Sequence, residues 1–216
     1  QKALFDSQVK IIDDLEGDIF LVSRARYTLA SEKRFPIEML ARAKACVGVE
    51  AAYPLYTELT LSRLKDLQPG ATGKGYPIRS LGCLLNERTF KSKRINDQFA
   101  ELRLPHTALI DLRSKRENFN FPLDDQETLA DVPLELANKR SRLVGTFDMG
   151  TDFAHDGNLI MSQENFARYY PQRNRFGDPL AVVDIGIIRL DEGAALGEVR
   201  RTIDAILDDQ VRVLTR

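Results

Sequence analysis

Thiol chemistry has little material in this sequence. The chain holds two cysteines, Cys46 and Cys83, and no Cys-x-x-Cys pair. A zinc ribbon and a thioredoxin-type redox motif are therefore excluded. A Cys46–Cys83 disulfide stays open, because spacing alone neither demands nor forbids it. Imidazole is equally scarce, with His106 and His155 the two histidines. Charge of one sign is also lacking: 31 Lys and Arg stand against 32 Asp and Glu, for a net charge of -1. That balance gives no electrostatic footprint for nucleic acid. No stretch approaches the roughly 20 uninterrupted apolar residues that span a bilayer. The most apolar run, Leu180 to Leu190, is broken by Asp184 and has the length of a strand. The opening Gln1-Lys2-Ala3-Leu4-Phe5 lacks the successive sections of a signal peptide. What is present is a 43% hydrophobic chain of 216 residues, enough for one large domain or two small ones. Such a composition fits a soluble domain and equally a loop domain held between two membrane helices.

The ends of the chain carry the clearest patterns. Leu4, Phe5, Val9, Ile12 and Leu15 recur at helical spacing, which predicts an amphipathic helix over 2–15. Asp18 to Ser23 reads as a short buried strand. Pro36 suits the first turn of a second helix running to Ala45, with Ile37, Leu40 and Ala41 on one face. Val49 to Leu59 follows as a strand. Near the other end, Val182 to Leu190 reads as a strand and Asp191-Glu192-Gly193 as a turn. Leu196, Val199, Ile203, Ile206 and Leu207 form one apolar helical stripe, and Val211 to Leu214 a last strand. Two β-α-β units at the two ends predict an α+β fold: a split β-α-β, ferredoxin-like base with four strands in one sheet and both helices on one face. The base spans 1–69 and 176–216.

The middle, 70–175, differs in character and reads as an inserted, smaller α+β subdomain. Gln68 to Gly75 is a flexible loop. Strands are expected at Tyr76 to Leu85, Thr107 to Leu112, Val132 to Leu136 and Arg142 to Phe147. Helices are expected near Asn96 to Leu102 and Ser162 to Tyr170, and Asp156-Gly157 reads as a hairpin-type turn.

Catalytic signatures are weak. Gly70 to Gly75 superficially resembles a phosphate loop, but Gln68 stands where the first glycine belongs and Gly75 where the hydroxyl residue belongs. His106 has no acidic neighbour in sequence. His155 lies in the run 152–158, where oxygen and nitrogen ligands for a metal compete with the plainer reading of a polar turn. There is no Gly-x-Ser-x-Gly elbow, and Asp124 and Asp125 read as solvated surface rather than a catalytic pair. Two basic clusters, Lys91/Lys93/Arg94 and Lys139/Arg140/Arg142, suit lipid head groups or an acidic partner, with plain solvated surface the simpler reading.

Several strings, in order along the chain, carry a family likeness. They are Leu4-Phe5-Asp6 with Asp18-Ile19-Phe20-Leu21-Val22-Ser23, then Val49 to Tyr56 (VEAAYPLY), then Gly145 to Ser162 (GTFDMGTDFAHDGNLIMS) followed by Asn165-Phe166. Asp184 to Leu190 (DIGIIRL) and Val211 to Thr215 (VRVLT) complete the set. Together they resemble the extracytoplasmic domain of DevC-type ABC-exporter permeases, which are similar to the MacB class. The resemblance implies a non-catalytic domain on the periplasmic side of a bacterial inner membrane, between the first two membrane helices. It implies a separate ATPase subunit that binds ATP, no cofactor in this chain, a membrane fusion protein as direct partner and a TolC-type outer-membrane channel as an indirect one. It also implies a permease dimer and a glycolipid or other hydrophobic cargo. Within that frame the insertion is the expected partner-binding part, with Phe119 and Phe121, in a polar loop, as candidate exposed aromatic anchors, core burial being the commoner alternative for such rings. The alternatives are a free-standing periplasmic binding or adaptor module and, further off, a hydrolase built around His155.

Because the Gly70–Gly75 loop misses two essential positions of a phosphate loop, calorimetry with Mg-ATP is expected to show no saturable binding to this chain. Specific micromolar binding would contradict that reading.

Overall fold

Short apolar runs dominate the structure, a computed structural model that describes residues 11–25, 33–150, 155–174, 177–207 and 209–215. In chain order the elements are β1 (Ile19–Ser23), β2 (Phe35–Pro36), α1 (Glu38–Lys44), β3 (Val49–Glu58), β4 (Arg63–Asp66), β5 (Gly75–Pro77) and β6 (Arg79–Cys83). There follow α2 (Lys93–Asn96), β7 (Thr107–Asp111), α3 (Gln126–Asp131), β8 (Leu134–Leu136), β9 (Lys139–Phe147), β10 (Asn158–Ser162) and α4 (Gln163–Tyr169). The chain closes with β11 (Val182–Val183), β12 (Ile185–Leu190), α5 (Leu196–Ile206) and β13 (Val211–Thr215). Strands β1, β6, β7 and β10 are buried at every position. Burial on both faces is why they read as continuous apolar runs rather than as alternation.

The chain forms two compact units of nearly equal length, one from Gln1–Tyr56, Asn86–Lys91 and Gln172–Arg216, the other from Thr57–Leu85 and Ser92–Pro171. These boundaries differ from the composition shift in the sequence. Residues 57–69 belong to the second unit, and 86–91 and 172–175 belong to the first. The second unit is not the smaller one. The hydrophobic continuity of 49–59 hides the first boundary, because β3 runs across it.

The first unit is α+β. Its strands stand in the order β13-β1-β12-β3, every neighbouring pair antiparallel. Each β-α-β crossover skips one strand, so the two crossovers interlock. Helix α1 touches β12, α5 touches β13, and the two helices touch each other. They therefore share one face. Gly186 makes room for this: a Cβ there would stand 2.6 Å from Leu40 Cδ2 and 3.0 Å from Leu21 Cβ. Leu40 fills the space and is 4% exposed. Val199 and Ile203 are the buried residues of α5, and the outer positions of the same stripe, Leu196 and Ile206, stay exposed. Tyr53 draws the returning segment in, its hydroxyl donating to the carbonyls of Glu16 (2.6 Å) and Arg88 (3.0 Å). Of the expected N-terminal helix, residues 11–14 are helical, and the remainder lies outside the described residues.

The expected single strand 182–190 is two strands broken at Asp184. That carboxylate is fully buried against Arg173, whose guanidinium also lies 5.3 Å from the Tyr56 ring centre. A buried carboxylate needs this pairing, since desolvation of a lone charge is prohibitive. A second arginine, Arg34, approaches the other oxygen at 3.5 Å.

The second unit is also α+β, with a mixed sheet ordered β6-β10-β7-β9-β8-β4-β5. Pairs β6–β10 and β7–β9 are parallel, and the remaining neighbours are antiparallel. The hairpin expected at Asp156-Gly157 is not formed, because β10 pairs with β6 and β7 rather than with β9. A real two-residue hairpin sits instead between β8 and β9, where Ala137 and Asn138 take φ of 49° and 63°. Positive φ at both positions matches the twist of the flanking strands. Helix α4 closes onto β6, where Gly82 admits the Phe166 ring.

A Cβ at Gly82 would stand 2.6 Å from both Cβ and Cγ of the fully buried Phe166, atoms that cannot swing aside. Gly82→Ala is expected to cost about 2 kcal/mol by overpacking, read as a lowered urea midpoint with unchanged slope.

Candidate partner-facing site

The loop from Asp66 to Tyr76 and the segment Glu117–Asn120 enclose a polar cleft of about 330 Å3 in the second unit. Its walls hold Asp66, Gln68, Thr72, Lys74, Tyr76, Glu117, Asn118 and Asn120. The glycine-rich stretch forms one lip. Gly70 and Gly73 take φ of +87° and +66° there, a region that L side chains rarely adopt. Strand β5 follows directly and no helix begins at this loop. Asp66 braces the lip by accepting from the Gln68 N–H (2.8 Å) and side-chain amide (3.2 Å). Lys74 Nζ lies 5.4 Å from the Tyr76 ring centre, within cation–π range.

In the opposite wall Phe119 and Phe121 are buried core rather than exposed anchors. Their side chains are 1% and 2% exposed. Phe119 packs edge-on to Tyr76 at 6.0 Å and tilted on Phe121 at 5.8 Å. The segment alternates as a strand would, sending both rings inward and Asn120 outward. The aromatics are thus the floor of the wall, and the polar residues beside them face the cleft. Sequence composition marked the loop but could not show which side of it faces in.

Elsewhere in the second unit, residues 145–150 and 155–162 are held by buried polar bonds. Asp111 Oδ1 accepts from the N–H groups of Arg113 (3.0 Å) and Met149 (3.3 Å). Its Oδ2 accepts from the Gly150 N–H (2.8 Å) and the Asn158 amide (2.6 Å). Asn158 Oδ1 in turn accepts from Arg79 Nε at 2.8 Å. A buried carboxylate is thereby linked to a buried guanidinium through one amide, across the neighbouring strands β7, β10 and β6. Asn165 does similar work nearby, accepting from the His106 N–H (3.0 Å) and donating to the carbonyls of Leu102 and Leu104.

The remaining sequence candidates fall into place individually. His155 is buried, and the Asp156 carboxylate beside it is engaged by Lys115 Nζ (2.8 Å) and the Asn118 amide (2.7 Å). Asp152 lies outside the described residues. Among the described residues no group of three or more His, Cys, Asp or Glu is placed to hold a metal. His106 sits at φ 62° and meets Tyr169 edge-on at 5.9 Å. Asp125 caps α3, accepting from the Glu127 and Thr128 N–H groups, and the Thr128 bonds hold its carboxyl below the usual range. Asp124 is exposed and meets Arg116 at 3.7 Å. Cys46 and Cys83 are both free thiols, and burial pushes each pKa up. Of the basic clusters, Arg94 is spent on Thr146, Arg142 on the Ala130 carbonyl and Lys139 on the Arg168 carbonyl. The cleft lining offers hydrogen-bond donors and acceptors of both charges around one tyrosine ring.

No family model matches the chain, and no curated protein sequence does either. Solved structures do match in fold. The periplasmic region of MacB from Actinobacillus actinomycetemcomitans superposes with a TM-score of 0.58 at 10% identity, covering 100% of this chain and 94% of that one. The extracellular domain of the noncanonic ABC-type transporter YknZ from Gram-positive bacteria gives 0.50 at 9% identity, covering 92% and 99%. The chain therefore shares the α+β fold of the MacB periplasmic region along its whole length. No helix among the described residues is long and apolar enough to cross a membrane.

Phe119→Ala is expected to lower stability by about 4 kcal/mol through loss of a buried ring. Asn120→Ala, at an exposed position, should move it by less than about 0.5 kcal/mol. Urea melts of the two variants measure the contrast, and equal effects would remove the distinction between floor and rim.

Proposed function

We propose that this chain is the extracytoplasmic domain of an ABC-exporter permease of the DevC kind, a non-catalytic module that couples membrane-helix motion to a membrane fusion protein. The observation that carries the reading is the fold likeness to the MacB periplasmic region over nearly the full length of both chains. The strand register supports it: Thr215, at the end of β13, pairs with Ile19, at the start of β1. A membrane helix continuing from the end of β13 would enter the sheet beside the start of β1. ATP would be hydrolysed by a separate subunit, with a TolC-type channel further out and a second permease copy completing the pair.

In this reading the first unit is the mechanical base and the cleft of the second unit is the surface offered to the fusion protein. Its mixed charge and exposed amides suit a polar protein segment, and mutual desolvation of Asn120, Gln68 and Lys74 would give register more than raw affinity. The cargo is not read from this domain.

Two measurements on the intact permease test the proposal. Ile206→Cys, at a position 41% exposed, should react in whole cells with a membrane-impermeant maleimide, in a Cys46→Ser background. Labelling only after lysis would place the domain on the wrong side. Asn120→Arg with Lys74→Glu should weaken retention of the purified cognate fusion protein by about tenfold or more. Undiminished retention would move the contact away from the cleft.

A further inference from the structure

The strand directions of the first unit bring four chain segments to one end of its sheet. Ile19 opens β1 opposite both Ile188 of β12 and Thr215 of β13. Leu190, the last residue of β12, pairs with Val49, the first of β3. The start of β1, the end of β13, the α1–β3 turn and the β12–α5 turn therefore share this end. The two turns are joined, since the Asp191 N–H donates to the Gly48 carbonyl at 3.0 Å. They also pack tightly: a Cβ at Gly48 would stand 2.9 Å from Val199 Cγ2 and 3.3 Å from the Ala194 Cβ.

This end carries an unusual surface. Val47, at the tip of the α1–β3 turn, is 95% exposed, and Leu196, at the start of α5, is 42% exposed. Ala195 between the turns is exposed as well. An apolar side chain held almost wholly in water at the tip of a braced turn costs solvation without contributing to the core. The polar neighbours are Lys44, Asp191 and Glu192, all exposed and of mixed sign.

We propose that Val47, Ala195 and Leu196 form an apolar foot that rests in the head-group layer of the membrane beside the permease's own helices. The inference rests on the permease reading, which sends chain toward the membrane from the end of β13, beside the start of β1. Strand β3 lies two strands from β1 in the sheet order, an offset of about 10 Å at the usual strand spacing. That offset equals about one helix diameter, so the foot overhangs the pair of helices and meets lipid rather than helix. The acidic Asp191-Glu192 pair favours zwitterionic head groups over anionic ones. One valine and one leucine anchor weakly by themselves. Held by two covalent attachments, they act at high effective concentration and fix the tilt of the base on the bilayer.

The test uses the full-length permease in nanodiscs, in a Cys46→Ser background, with the native Cys83 thiol buried and unreactive. Bimane is attached at Val47→Cys, Leu196→Cys or Ile206→Cys. Ile206 is 41% exposed and ends α5, ten residues along the helix from Leu196, or about 15 Å. Zwitterionic lipid carrying a shallow nitroxide is expected to quench positions 47 and 196 about threefold more than position 206, with weaker quenching at both when the lipid is anionic. Equal quenching at all three positions overturns the foot. So does protection of position 47 by added fusion protein in place of lipid. Either failure leaves the permease reading standing as long as position 206 is labelled from outside the intact cell. Loss of that labelling fails the reading itself.

Discussion

The pairing of the first described strand with the last constrains everything else in the first unit. Strand β1 lies between β12 and β13, so its hydrogen bonds are satisfied only when residues almost the whole chain apart arrive in register, from Ile19↔Thr215 to Ser23↔Val211. Loop-closure entropy grows only slowly with length, by about 0.6 kcal/mol per doubling, so the intervening unit adds little to the thermodynamic cost. The kinetic cost is larger, because non-local strand pairing is slow. Once the sheet is closed, α1 and α5 gain a shared surface, Leu40 finds the space left by Gly186, and Tyr53 gathers residues 86–91. At the opposite end Arg24 donates to the Val211 carbonyl at 3.1 Å, securing the turn that leads into β13.

In the second unit a comparable role falls to Asp111. A buried carboxylate is tolerated where several donors converge on it, and here two backbone N–H groups of residues 149 and 150, one of residue 113 and the Asn158 amide do so. This accounts physically for much of the described part of the string 145–162. Phe147 is core, Met149 and Gly150 present their N–H groups to Asp111, Gly157 passes against Ser114, and Asn158 bridges to Arg79. Ser162 caps α4 by accepting from the Asn165 N–H, and Asn165 then ties the loop at Leu102–Leu104. The string is a packing and hydrogen-bonding program.

The terminal β-α-β units were legible because their apolar spacing is regular and their elements lie close in sequence. Helix 196–207 and strands 18–23, 49–59 and 211–214 agree with α5, β1, β3 and β13 to within a residue or so. The middle was harder for identifiable reasons. Strand β9 begins at Lys139 rather than Arg142 because its first two residues are exposed and basic, and its hairpin uses Ala137, which carries no turn signal. Tyr76 to Leu85 is two strands, since Ile78 donates its N–H to the Ser62 carbonyl instead of continuing the ladder. Helix α3 was missed because its single buried residue, Leu129, makes no stripe. The cleft was half legible: glycines marked one lip, while the inward turn of Phe119 and Phe121 depends on Tyr76, over forty positions away.

Under the permease reading, the way polar groups are spent bears on mechanism. In the first unit Asp184 holds Arg173, and Arg173 also donates to the Pro179 and Val182 carbonyls, which stiffens the break between β11 and β12. In the second, the Tyr170 hydroxyl lies 2.9 Å from Ser62 and 2.7 Å from Ser80, and burial raises its pKa well above the usual phenol range. Groups committed in this way are poor acids, bases or nucleophiles, but they resist deformation. Stiffness is what transmission needs: a push arriving at the start of β1 and the end of β13 meets a shared ladder of hydrogen bonds, so sliding one strand past the other would break several at once. The lower-energy response is for the whole sheet to move as one body, carrying its helices with it.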